Sequence, residues 1–120
     1  MNAPFVLDRP EIVHRAVCDT LVAVFPTIGR DALLSSERLN HTTAWVRQVG
    51  MFIMSGRLAV SQMQTSQLWH RDRTTVSHAI QLCQIEAAER PATAAFFDFV
   101  ERQALAALAS YVALEDEGRL

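Results

Sequence analysis

With 120 residues, half of them hydrophobic, the chain has room for one domain with a modest core. The formal net charge is −2, from 11 arginines and 13 acids with no lysine, whereas a free-standing DNA binder is usually basic. Apolar runs stay short of the 18 or so residues of a membrane span, so no membrane association is expected. The opening Met1-Asn2-Ala3-Pro4-Phe5 lacks a basic region followed by an apolar one, so no secretory signal is expected and a cytoplasmic location is. Cys18 and Cys83 sit at apolar positions of helical patterns and read as reduced core residues. There is no CxxC and no His/Cys cluster with metal spacing, so neither a metal nor a cofactor is expected.

Charge is unevenly distributed along the chain. Residues 1–56 carry five arginines and five acids, residues 57–90 four and three, and the remainder two and five. Arginine is the cation suited to bidentate contacts with guanine or phosphate.

In chain order, residues 1–9 read as an extended arm, and Pro10 suits the first turn of a helix. Ile12, Val13, Ala16, Val17, Leu21 and Val24 repeat at helical spacing and predict helix one, Pro10 to Phe25. Pro26 and Gly29 break it, a short helical turn forms around Asp31, and Ser35 to His41 is a polar loop. Helix two starts at Thr42 or Thr43 as cap, runs through Trp45, Val46, Val49, Phe52 and Ile53, and reaches as far as Gly56; Met51 and Met54 are core filler. Ser61 is the N-cap of a helix ending near Trp69, itself read as a core residue.

The next helix is predicted from Arg73 to Glu89, capped by Asp72 or Thr74. Val76, Ala79, Ile80 and Cys83 fall at i, i+3, i+4 and i+7, one face of a helix. The other face carries Arg73, Thr74, Ser77, Gln81 and Gln84, mostly uncharged hydrogen-bonding groups that suit a base-pair edge better than bulk water. A helix offering its N-terminal residues to base edges is how helix-turn-helix proteins read a major groove.

Pro91 punctuates this helix, and a last one follows, capped by Thr93. Its stripe is Phe96, Phe97, Val100, Ala104, Leu108 and Tyr111, widened by Phe99 and Leu105, and apolar character continues to Leu114 before the acidic tail 115–120. This is more apolar surface than so small a domain needs. It reads either as core with a frayed tail or as a homodimer or protein-partner surface formed by Phe96, Phe97, Val100, Leu108 and Tyr111. The fold class expected is all-α: a compact domain of about five helices, residues 10–114, containing a helix-turn-helix and closed by a long C-terminal helix.

No enzyme site is expected. His14 and His41 read as surface residues, and His70 and His78 as phosphate or side-chain neighbours. None has a serine, cysteine or carboxylate at catalytic or metal spacing, and no glycine-rich phosphate loop is present.

Arg71-Asp72-Arg73-Thr74-Thr75-Val76-Ser77-His78-Ala79 resembles the Arg-Asp-His-Thr-Thr-Val-x-His-Ala signature of the bacterial replication initiator DnaA, matching seven positions in nine. In that family the signature opens the recognition helix of the C-terminal duplex-DNA-binding domain. The resemblance spans about residues 10–105 and leaves out the initiator's ATPase domain. Arg47-Gln48 matches the pair that begins helix two in the family, where the arginine meets the DNA backbone. The departures are Arg73 in place of His, Thr65 in place of an apolar residue, a turn shorter by one residue, and a loop 35–40 whose single arginine is Arg38 where the family has a strongly basic loop. Thr65 is tolerable if its methyl packs inward, with Met63 and Leu68 making up the lost contact.

The resemblance implies sequence-specific binding of double-stranded DNA. Arg73, Thr74, Asp72 and Ser77 would contact bases, with Asp72 capping the helix or accepting from a cytosine amino group. Arg47, Gln62, Arg71, Thr75 and His78 would contact the backbone, and Arg38 the minor groove. With Arg73 replacing His, the preferred site should differ from the initiator's box. The expected role is a small transcriptional regulator, one form being an activator of a gene-transfer-agent or phage-like cluster. The alternatives are a protein-interaction module with a vestigial DNA face and a competitor of the initiator at its boxes.

Overall fold

The computed structural model describes residues 9–35 and 40–118, and the elements among them are all helical. They are α1 (Pro10–Val24), α2 (Gly29–Leu34), α3 (His41–Phe52), α4 (Gln62–Trp69), α5 (Arg73–Glu89) and α6 (Pro91–Asp116). The turn expected around Asp31 is a helix in its own right, which makes six where about five are predicted. Among the described residues no helix is long and apolar enough to cross a membrane.

The core follows from apolar spacing. Val13, Ala16, Val17 and Leu21 of α1 meet Phe97, Val100, Ala104, Leu108 and Val112 of α6, and these two helices pack along each other. Val46 and Val49 of α3 and Val76, Ala79 and Cys83 of α5 complete the interior. Each large side chain buried in this way contributes about 1.5–3 kcal/mol. Burial pushes the thiols of Cys18 and Cys83 up to about 12, so both stay protonated at neutral pH.

The expected partner surface on α6 is not available, because packing consumes it. Phe97, Val100 and Leu108 are buried in the core. Phe96 stacks on Trp45, with ring centroids 5.8 Å apart, and Phe25 meets it edge-on. The Tyr111 hydroxyl donates to Asp19, and the Arg15 guanidinium lies 5.0 Å from its ring centroid. Thr93 lies inside α6, which opens at Pro91 with Arg90 at the cap position, so it is no cap. The helix also runs past the predicted boundary at 114: Glu115 pairs with Arg9 at 2.9 Å, so the acidic end is partly structural.

Two caps set the middle of the chain. Asn40, rather than Thr42 or Thr43, caps α3, its Oδ1 accepting from the Thr43 N–H at 2.9 Å. Ser61 caps α4 as its position predicts, accepting from the Gln64 N–H at 3.1 Å. Between them α3 widens into a π turn, Ile53–Arg57. The Leu58 N–H reaches Ile53 O, the Val60 N–H reaches Met54 O, and Ala59 takes a positive φ of 62° to reverse the chain.

Trp69 closes α4 from inside. It is 2 % exposed, and its indole N–H donates to Met54 Sδ at 3.1 Å. The ring lies where a side chain on Gly50 would stand: an added Cβ would come 2.4 Å from the indole. Thr65 is wholly buried, so its methyl does pack inward, but its hydroxyl finds no partner among the described residues. Met63 is 52 % exposed and does not fill in for the apolar residue missing there.

His14 is a packing residue rather than a surface one. Its ring meets Trp69 edge-on at 5.1 Å and lies 3.4 Å from Cys18 Sγ. Burial above all, then the charges of Arg30 and His70, lower its pKa from 6.5 to about 4.

Two outcomes are expected. Gly50→Ala should cost about 2 kcal/mol or more in urea denaturation, since the clash with the indole outweighs the gain of about 1 kcal/mol in helix propensity; a neutral or stabilising effect would contradict this packing. His14 contributes its full stability above pH 6.5, where it is neutral in both states, and loses it as the pH falls from 6.5 towards 4, where only the unfolded chain takes the proton. The fall in Tm over that window should be smaller in His14→Gln than in the parent, and an identical fall in both would contradict the assignment.

Candidate nucleic-acid interface

Helices α4 and α5 are joined by His70, Arg71 and Asp72 alone. The joint is closed by two backbone bonds, His70 N–H to Gln67 O at 3.3 Å and Arg71 N–H to Ser66 O at 2.9 Å, with His70 left-handed at φ 53°. This is the Schellman pattern, made here by a histidine where glycine is usual. It satisfies the last carbonyls of α4 and turns the chain at once into α5, as a helix-turn-helix requires.

Val76, Ala79 and Cys83 pin one side of α5 to the core. The opposite side is open. Arg73, Thr74, Thr75, His78, Gln81 and Gln84 are exposed and Ser77 is half-buried. The side chains of Arg73, Thr74, Thr75, Ser77 and His78 make no hydrogen bond or ion pair among the described residues. Asp72 occupies the cap position in extended backbone, but its carboxylate makes no capping bond. The first-turn amides of α5 therefore lack a side-chain cap, which leaves the positive end of the helix dipole to solvent. Gln62 is exposed at the first position of α4, just after the Ser61 cap.

Two of the expected backbone contacts are placed differently. Arg47 is 5 % exposed, with Nε donating to Leu33 O at 2.9 Å and Nη2 to Ala32 O at 2.5 Å. Its guanidinium is engaged by the end of α2, and burial followed by the charge of Arg71 lowers its pKa. Arg71 is half-buried and bridges two carbonyls, His70 O and Ser35 O, each at 3.1 Å. Arg38, the minor-groove candidate, lies outside the described residues.

Burial of Arg47 had a signal in the sequence that apolar counting misses. Thr43, Arg47, Gly50 and Met54 are spaced i, i+4, i+7 and i+11, and the three companions of Arg47 are buried too.

Ion pairing separates the cations. Arg9 pairs with Glu115, Arg30 with Asp19, and Arg57 with Asp98 and Glu101 at 2.9 and 2.7 Å. These pairs tie down acids of α1 and α6, while the exposed Arg73 has no carboxylate partner among the described residues. At the far end of α5 the Glu86 carboxylate accepts from the Trp45 indole N–H at 3.3 Å. A helix about 10–12 Å across fits a major groove about 12 Å wide. The open side of α5 offers such a groove a guanidinium fork, two threonine hydroxyls and an imidazole.

A second concavity, a shallow groove of about 510 Å3, lies between α1 and α6 along Thr20, Phe99, Gln103, Ala106 and Ser110. Phe99 is 39 % exposed there. Asp19, at its edge, is already held by Arg30 and Tyr111.

Comparison with protein-family models, with characterised proteins and with solved structures finds no match to this chain.

Proposed function

We propose that this chain binds double-stranded DNA sequence-specifically and acts as a small transcriptional regulator. The observation that carries this reading is the two-sidedness of α5: an apolar stripe locked into the core, and an opposite side of polar groups, mostly exposed, whose side chains at 73–78 have no partner among the described residues. A polar helix side serving only solubility would ordinarily be rich in paired charges. This one carries Arg73 and otherwise uncharged donors and acceptors across its first two turns.

In this reading α5 enters the major groove with its N-terminus foremost. Arg73 reads a guanine through its fork, the Thr74 methyl meets a thymine methyl, and Ser77 reaches an adjacent base edge. Asp72, uncommitted as a cap, accepts from a cytosine amino group. Thr75, His78 and Gln62 hold phosphates on the flanks and fix register. The resemblance of residues 71–79 to the initiator signature supports the same docking. One such module buries only about 600–1,000 Å2 on DNA, so high affinity calls for paired sites or a second protein.

Selection from a random duplex pool tests this. The parent should enrich one motif, with affinity falling as salt rises. Arg73→Ala should relax one or two base pairs of the motif, each worth about 1–3 kcal/mol of discrimination. No enrichment even at low salt, or an unchanged motif in Arg73→Ala, would overturn the reading.

A further inference from the structure

The arginines Arg47 and Arg71 come from separate elements and converge on one target, the C-terminal end of α2. Arg47 takes the carbonyls of Ala32 and Leu33, and Arg71 takes that of Ser35. Their guanidinium groups lie near enough for the charge of Arg71 to bear on Arg47. The last carbonyls of a helix lack partners in the next turn and form the negative end of its dipole; Ala32 O takes only the long bond from the Ser35 N–H at 3.4 Å, so these carbonyls hold the two cations by hydrogen bonds and by field alike. The other nitrogen of Arg71 bonds His70 O, the carbonyl of the left-handed residue that makes the turn. Arg71 thus links α2 to the turn two residues before Arg73.

We propose that Arg71 is a positioning residue for the reading helix and not a phosphate ligand: it clamps the end of α2, which Arg47 holds to α3, to the α4–α5 turn, and so sets the base pair that Arg73 reaches. The proposal rests on the DNA-binding reading above. The forked guanidinium matters because it spans two carbonyls at a fixed separation. A lysine keeps the charge as a single point and cannot hold both in that geometry.

A double-mutant cycle on the selected duplex, with a salt titration of each variant, tests the proposal. Arg71→Gln should lose on the order of tenfold in specific affinity, while the same change in an Arg73→Ala background should cost less than about twofold, because the residue being aimed is gone. The salt slope should stay that of the parent, and Arg71→Lys, the milder variant, should not restore affinity. A slope smaller by about one phosphate, with losses that multiply independently and rescue by lysine, would make Arg71 a backbone ligand and overturn the proposal. Amide exchange separates its failure from that of the DNA reading. The Ser35 and His70 amides, bonded to Ala32 O and Gln67 O, should exchange several-fold faster in Arg71→Gln whether or not DNA is bound. If the parent binds no duplex specifically, the DNA reading fails and exchange alone judges the clamp; unchanged exchange overturns it.

Discussion

The position of α5 depends on the Trp69 indole resting against the backbone of Gly50. That contact needs a glycine on α3, because any side chain there would occupy the space of the ring. It needs the π turn as well, which widens the end of α3 and carries Met54, whose sulfur receives the indole N–H. With Trp69 fixed, the end of α4 is fixed, and the three-residue turn leaves α5 little choice of direction. His14 meets the ring edge-on, so α1 is tied to the same anchor. One aromatic side chain therefore couples the scaffold helices to the helix that carries the open polar side.

Electrostatics follow the same division. Acids of α1 and α6 are held by Arg9, Arg15, Arg30 and Arg57. Pairs of this kind at the surface contribute little stability, but they decide where charge remains. What remains near the turn is Arg73 in solvent beside the uncommitted carboxylate of Asp72, with Arg47 and Arg71 on backbone carbonyls close by, three cations to one acid. A net charge of −2 thus hides a locally basic edge at the N-terminus of α5. On the proposed DNA-binding reading, an approaching duplex would be oriented by that edge, not attracted by the whole.

Most of the helical architecture was legible in the sequence, because apolar spacing and proline punctuation agree. Pro10, Ser61, Pro91 and the stripe Val76, Ala79, Cys83 all mark real boundaries or buried faces, and α5 runs from Arg73 to Glu89 as its spacing predicts. Three features were not legible, each for a physical reason. The Asn40 cap competes with two neighbouring threonines that are equally able to cap, and only the path of the backbone decides among them. The spacing of Thr43, Arg47, Gly50 and Met54 marks the Arg47 side of α3 as inward, but its partners are main-chain carbonyls fourteen and fifteen residues earlier, and no side-chain pattern records those bonds. The apolar α6 suggested a docking surface because the matching stripe on α1 lies far away in the chain, yet the two cover each other. Of the candidate site, the outward set of α5 was legible from period alone, and the clamp beneath it was not.

The central claim is that the open side of α5 is where a duplex binds. Backbone amide shifts recorded while a selected duplex is titrated into the labelled protein test it most directly. Large, saturating changes are expected at residues 72–78 and at Gln62, with little change along the α1–α6 groove. Changes centred on Phe99, Gln103 and Ser110, or none at residues 72–78 at saturation, would contradict it.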